Sequence, residues 1–346
     1  MSDIWSPGTA TALGAFPGLD PLESARMALA ELTGLPVLPE LPARGIGSDP
    51  VGRTAGLLAD LHVEVGIGAW RFVPRGGRDE ERARVALVTD LDALEESAQG
   101  YRGPLKLRIV GPWTLAASVE LAKGEKALRD EGAVRDIAAS LAEGLTRHID
   151  DIRRRLAGLG RVVVQVDEPL LAGIVAGEVP TASGWGRLRT YEKGVVEDVL
   201  RQVIAAASPP AAGEEEPSGV AGVWIGATTL DGPLLRGAGA RFIGIDGAVL
   251  DSIDEDTVGE AIDAGVGLLV ACVPHGARRM DPRPVMEPVH SLWKRLGFLP
   301  DLLPSMVAVA VVEGLEQVAP ADVPAVLRRA VEAGRYLEES AADEES

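Results

Sequence analysis

Residues 162–171 read VVVQVDEPLL: a β-branched run broken once by Gln165, then Asp167, Glu168 and a proline that closes it. The absence of polar alternation describes a strand covered on both faces, as strands of a parallel sheet are. Neighbouring side chains on a strand point to opposite faces. Asp167 and Glu168 are therefore not one acid pair. One faces the mouth of the sheet and a ligand; the other accepts from backbone N–H groups. The pleat leaves open which of the two takes which role.

Outward from this strand, short apolar runs alternate with longer helical stretches. Upstream lies the strongest helical pattern, over 125–160, where Val134, Ile137, Leu141, Leu145, Ile149, Ile152 and Leu156 recur every three or four residues. Before it come TALGAFPG (11–18), a helix over 20–34, the proline-rich extended run LPVLPELPA (35–43), a helix over 52–66 and the strand PLKLRIVGP (104–112). Downstream strands are expected at 220–227, 240–246, 266–274 and 305–315, each preceded by a helical stretch. About eight such units in one chain favour a single-domain (β/α)8 barrel over residues 1–338, with extra material (67–103) between its second and third strands. A doubly wound open sheet is the alternative. The stretch 209–219 has the composition of a flexible acidic loop and 339–346 that of a disordered acidic tail.

Composition narrows the function. The 346 residues are 46% hydrophobic and 25% charged, with a net charge of −18, which argues against nucleic acid or an anionic membrane as partner. There is one cysteine, Cys272, so neither a disulfide framework nor a multi-cysteine zinc cluster is available. No apolar run reaches membrane-spanning length and no signal peptide is evident, so a cytoplasmic protein with a small-molecule substrate is expected.

Three stretches resemble cobalamin-independent methionine synthase, in its C-terminal catalytic barrel. VVVQVDEPLL resembles that family's Q-[IV]-D-E-P-x-L strand, TALGAFPG its T-x-[IL]-G-S-F-P opening strand, and LRIVGPWTLAAS (107–118) its [IL]-x-G-P-x-T strand. The order and spacing agree across nearly the whole chain, and the wider superfamily includes uroporphyrinogen decarboxylase. The resemblance implies a methyltransferase of methionine biosynthesis, in which a zinc-bound homocysteine thiolate attacks methyltetrahydrofolate. It places Asp167 on the substrate amino group, with the turn Leu13-Gly14-Ala15 beside the amino acid. Trp113, near a strand end, is a candidate to stack on a ligand. It places the zinc ligands at Trp224, Gly226, Asp246 and Glu313, where no histidine or cysteine remains, so a degenerate zinc site and no bound metal are expected. The folate-stacking tryptophan falls on Ser118, and the family's glutamate six residues after the DEP aspartate on Gly173. His275, about two residues beyond the expected place, is the candidate for the proton-donating histidine.

The other histidines read as helical: His62 and His148 at the edges of buried stripes, His290 in the helix before the last strand. Cys272 reads as a small buried apolar residue. GIGSDPVGRT (45–54), flanked by Arg44 and Arg53, offers backbone N–H groups ahead of a helix that could receive an anion. Three functions are compatible with these residues. They are a methionine-synthase-like methyltransferase, a non-catalytic amino-acid-binding or regulatory homologue, and a metal-free decarboxylase-type barrel holding a polycarboxylate on Arg44 and Arg53.

Overall fold

The computed structural model describes residues 4–207, 219–276 and 281–344, with side chains through residue 342. Its strands are β1 (Ala10–Thr11), β2 (His62–Val65), β3 (Trp70–Val73), β4 (Leu105–Val110) and β5 (Val119–Glu120). They continue with β6 (Val162–Asp167), β7 (Gly219–Gly226), β8 (Phe242–Asp246), β9 (Gly267–Val273) and β10 (Val307–Val311). Seven of them form a parallel sheet in the order β1-β10-β9-β8-β7-β6-β4. The first strand pairs with the last, Ala10 with Val309 and Thr11 with Ala310, which an open doubly wound sheet does not do.

The remaining gap is closed by the proline-rich run. Lys106 N donates to the Pro36 carbonyl and Leu38 N to that of Lys106, while Phe16 N donates to Glu40 and Glu40 N to Gly14. Residues 36–40 thus lie between β1 and β4 as an irregular eighth staple, and the sheet curls into an α/β barrel. Pro36 and Pro39 supply no N–H, which keeps this member to isolated bridges.

The expected helix over 52–66 divides. Its helical part is Pro50–Ala55, and HVEV then forms β2, antiparallel to β3. Period-two alternation of Val63 and Val65 with polar residues outweighs the helical spacing further upstream. His62 is accordingly a strand residue. The expected insertion, 67–103, holds β3 and a helix over Arg78–Ser97.

The helix expected over 125–160 spans Glu131–Arg155, with Asp130 capping Gly132 N and Ala133 N. Its Val134, Ile137, Leu141, Leu145, Ile149 and Ile152 are all buried. The last helix, Val323–Glu344, runs on into the stretch expected to be a disordered tail and buries Ala341. The acidic loop expected at 209–219 lies, except for Gly219, outside the described residues. Among the described residues, no helix is long and apolar enough to cross a membrane.

Candidate ligand site at the barrel mouth

Polar residues line the inside of the barrel wall where β4 and β6 run side by side. Leu105, Leu107 and Ile109 are the apolar alternates of β4, and Lys106 and Arg108 lie between them, on the opposite face. Lys106 is fully buried; its Nζ donates to the Leu13 carbonyl at 3.0 Å and to Gln165 Oε1 at 2.7 Å. Gln165 Nε2 in turn donates to Asp167 Oδ1 at 2.7 Å, and Arg108 Nε donates to Asp167 Oδ2. Both oxygens of the carboxylate singled out in the sequence are therefore engaged by protein donors.

The chain of charges continues outward. Arg108 Nη1 lies 3.5 Å from Glu40 Oε2, and Arg53 Nε lies 3.8 Å from Glu40 Oε1. Arg53 also donates to Asp90, which pairs with Arg44 at 2.7 Å. Burial pulls the Lys106 ammonium down to about 7, against the attraction of Asp167. Burial also raises Glu40, tempered by Arg108 and Arg53. Around Arg108, burial opposes the charge but Asp167 and Glu40 outweigh it and raise the guanidinium further.

Arg44 and Arg53, the residues proposed to anchor a polycarboxylate, thus pair with Asp90 and Glu40. The N–H groups of 45–54 are used as well: Asp49 accepts from Gly52 N at 2.8 Å.

Glu168 points the other way. It accepts from Trp113 N at 2.9 Å, Thr114 N at 2.7 Å and Thr114 Oγ1 at 2.6 Å, holding the N-terminus of the helix Pro112–Ser118. Despite these donors, burial pushes its carboxyl up to about 7. Trp113, a candidate for ligand stacking, is fully buried instead. Its indole donates to the Val196 carbonyl and packs edge-on against Tyr191 at 4.7 Å. It anchors the helix layer and does not face the mouth.

The four positions where the resemblance puts zinc ligands separate into two groups. Trp224 and Glu313 meet across the mouth, with Trp224 Nε1 donating to Glu313 Oε1 at 3.2 Å. Asp246 Oδ1 caps the turn behind β8 by accepting from Ala248 N at 2.8 Å, and Gly226 has no side chain to offer. An indole nitrogen is a donor only, with no lone pair for a metal. The residues present do not fit a tetrahedral zinc, and among the described residues no group of three or more His, Cys, Asp or Glu could hold a metal.

Leu13, Ala15, Arg108, Glu313 and Leu315 line a cavity of about 310 Å³ at the mouth. Gly14 lies beneath it, at φ 148°, with the Arg108 stem so close that a Cβ would sit 2.7 Å from Cδ. The opening turn therefore meets Arg108, on the wall next to Asp167. His275 Nε2 lies 2.9 Å from the Val312 carbonyl, with its ring against Gly314, so it braces the loop that carries Glu313. Burial raises the Glu313 carboxyl; Arg108 opposes this and Asp167 and Asp246 add to it.

A larger cavity of about 770 Å³ opens between the loops after β6 and β7, lined by Leu170, Gly173, Val179, Ile225 and Leu234 among others. Gly173 faces it, whereas Ser118 turns its hydroxyl back to Thr114 O within its own helix. Cys272 is a free thiol pushed up to about 12 by burial. His62 pairs with Glu80, and His290 lies 3.1 Å from Ser340 Oγ.

The fold is an α/β barrel similar to that of a solved methionine synthase. The chain superposes on the structure of a B12-independent methionine synthase from Shewanella sp. W3-18-1 in complex with selenomethionine, with a TM-score of 0.61. The match covers 98% of this chain and 100% of that one, at 10% identity. No family model matches the sequence, and no curated protein matches it. At that identity the likeness establishes the barrel alone.

Sequence reading missed the residues that surround Asp167: Lys106, Arg108, Glu40 and Arg53. The signal for the first two was present in LKLRIV, where two cations alternate with leucines and an isoleucine at strand period. Glu40 and Arg53 had no such signal, because only barrel closure brings them to Arg108.

Proposed function

We propose that this chain is a methionine-synthase-like barrel that binds a small amino-acid-type ligand at its mouth and does not run methyl transfer through a zinc-bound thiolate. The observation that carries this reading is the Trp224–Glu313 hydrogen bond, which couples two positions that the resemblance assigns to metal ligands. A metal-bound thiolate needs soft or imidazole donors at this place. An indole N–H satisfied by a carboxylate supplies neither. The fold and the cavity at the opening turn support the small-ligand half of the proposal.

The test is metal analysis of the purified chain, followed by titration with zinc and by thermal shift with L-methionine and L-homocysteine. Zinc well below one per chain, removed by a chelator without change in melting temperature, together with an amino-acid-dependent rise in melting temperature, is the expected result. One tightly held zinc per chain would overturn the metal-free half, and no stabilisation by either amino acid the other.

A further inference from the structure

We infer that Arg108 is the residue that recognises the ligand, through a carboxylate, and that Asp167 is a positioning residue for Arg108 and not a ligand contact. This deepens the reading of the mouth as an amino-acid-type pocket and rests on it. Arg108 Nε is taken by Asp167 and Nη1 faces Glu40, so two of the three guanidinium nitrogens are engaged. Its second terminal nitrogen, Nη2, has no hydrogen-bond partner among the described residues, and the side chain retains 14% exposure where it lines the cavity. With the other two nitrogens facing acids, Nη2 is left to donate a charge-assisted N–H bond to a ligand carboxylate oxygen.

The rest of the wall completes the ligand. Glu313 and Glu316 line the same cavity and supply a negative end. Glu313 forms no ion pair with Arg108; its one hydrogen bond, from Trp224, engages only Oε1. Leu13, Ala15, Pro42 and Leu315 also line it and offer an apolar surface for a short side chain. A cavity of about 310 Å³ lined by a cation, two carboxylates and aliphatic side chains suits a compact zwitterion. The ligand class is an α-amino acid with an unbranched apolar side chain, its carboxylate on Arg108 and its ammonium on Glu313. This reverses the polarity implied by the resemblance, which puts the ammonium on Asp167.

The experiment compares L-norleucine, n-pentylamine and hexanoate by calorimetric titration of the full chain. The second lacks the carboxylate and the third the ammonium of the first. A charge-assisted hydrogen bond is worth about 1.5–3 kcal/mol, or roughly 10- to 100-fold in affinity. Norleucine is expected to bind best, with pentylamine weakened by at least tenfold. Arg108→Gln should abolish the difference between norleucine and pentylamine, and Glu313→Gln the difference between norleucine and hexanoate. Asp167→Asn should lower norleucine affinity while leaving pentylamine affinity unchanged, a split that a purely structural role would not produce. Pentylamine binding as tightly as norleucine, or losing affinity in Asp167→Asn, overturns the assignment while leaving the pocket in place. No binding by any of the three at millimolar concentration overturns the inference for this ligand class. If L-methionine and L-homocysteine also fail to stabilise the chain, the amino-acid reading of the mouth falls with it. The comparison on the parent chain needs no variant, so a poorly folding Arg108→Gln does not block it.

Discussion

Removing the Glu168 carboxylate should cost the protein more than any removal of an exposed acid, because its work is done under the helix Pro112–Ser118. In Glu168→Ala, Trp113 N, Thr114 N and Thr114 Oγ1 lose their acceptor in a fully buried place. The threonine hydroxyl can rotate, but the two backbone groups cannot find water without the helix lifting. A buried donor left unpaired costs about 1–3 kcal/mol, so the variant should lose about 4 kcal/mol. With a urea slope of about 3 kcal/mol/M, that is a fall of about 1.3 M in the unfolding midpoint. Glu168→Gln keeps one acceptor oxygen and should fall by less than half as much. Unfolding followed by circular dichroism at pH 8 measures both, with the exposed Glu178→Ala as the control. The wild-type slope with pH is a second readout. Burial raises the folded carboxyl to about 7 above an ordinary value of 4.5, so between those values the folded state holds a proton that the unfolded state has released. This group's contribution therefore falls as pH rises from 4.5 to 7, and Glu168→Gln should remove that fall. A loss below about 1 kcal/mol in Glu168→Ala, no greater than the control, would refute the assignment of Glu168 to the helix cap.

Three other outcomes are expected. Burial holds the folded His148 down at about 4, below its ordinary 6.5, so the unfolded state binds the extra proton between those values and stability rises with pH through that window. The side chain is only half-buried, so at most about 3 kcal/mol is lost on acidification, and urea midpoints at pH 4.5 and 7 should converge in His148→Gln. Gly144→Ala should lose about 3 kcal/mol or more, because the added Cβ overlaps the Leu57 carbonyl oxygen, a backbone atom; a melting temperature within 2 °C of the parent, taking about 2–4 °C per kcal/mol for a large domain, sinks this contact. A thermal double-mutant cycle of Trp224→Phe with Glu313→Gln should give a coupling of about 1–3 kcal/mol, and a value near zero removes the hydrogen bond on which the metal-free reading stands.

Much of the barrel was legible because each strand announces itself locally. VVVQVD, FIGID and VAVAV are short β-branched or apolar runs, and the helix Glu131–Arg155 repeats its apolar stripe over several turns. What local pattern misassigned was HVEV, where a weak helical spacing from upstream was extended across a strand. Closure by residues 36–40 was hidden for a different reason: prolines lower strand propensity, and only pairing from both sides makes that run part of the sheet. At the site, the opposite directions of Asp167 and Glu168 follow from strand pleat alone. The partner of Asp167 does not. That Arg108 reaches it depends on the register of β4 against β6, which sets Arg108 beside Gln165 and Val110 beside Asp167.

The two departures from the methionine synthase pattern are mutually consistent. An unpartnered carboxylate at Asp167 would sit buried and uncompensated, and Arg108 removes that cost by binding it. At the mouth, Glu313 is met in the same way by the N–H of the Trp224 ring. Each half is satisfied within the protein. Restoring a zinc ligand singly, as in Trp224→His, would therefore strand Glu313 without its donor and still leave Gly226 bare. Gly226 has φ +64°, where a cysteine would be strained by about 1 kcal/mol. Metal binding should then require simultaneous change at 224, 226 and 313. Tight stoichiometric zinc in the Trp224→His single variant would show that the remaining oxygens already converge, and that the indole alone keeps the metal out.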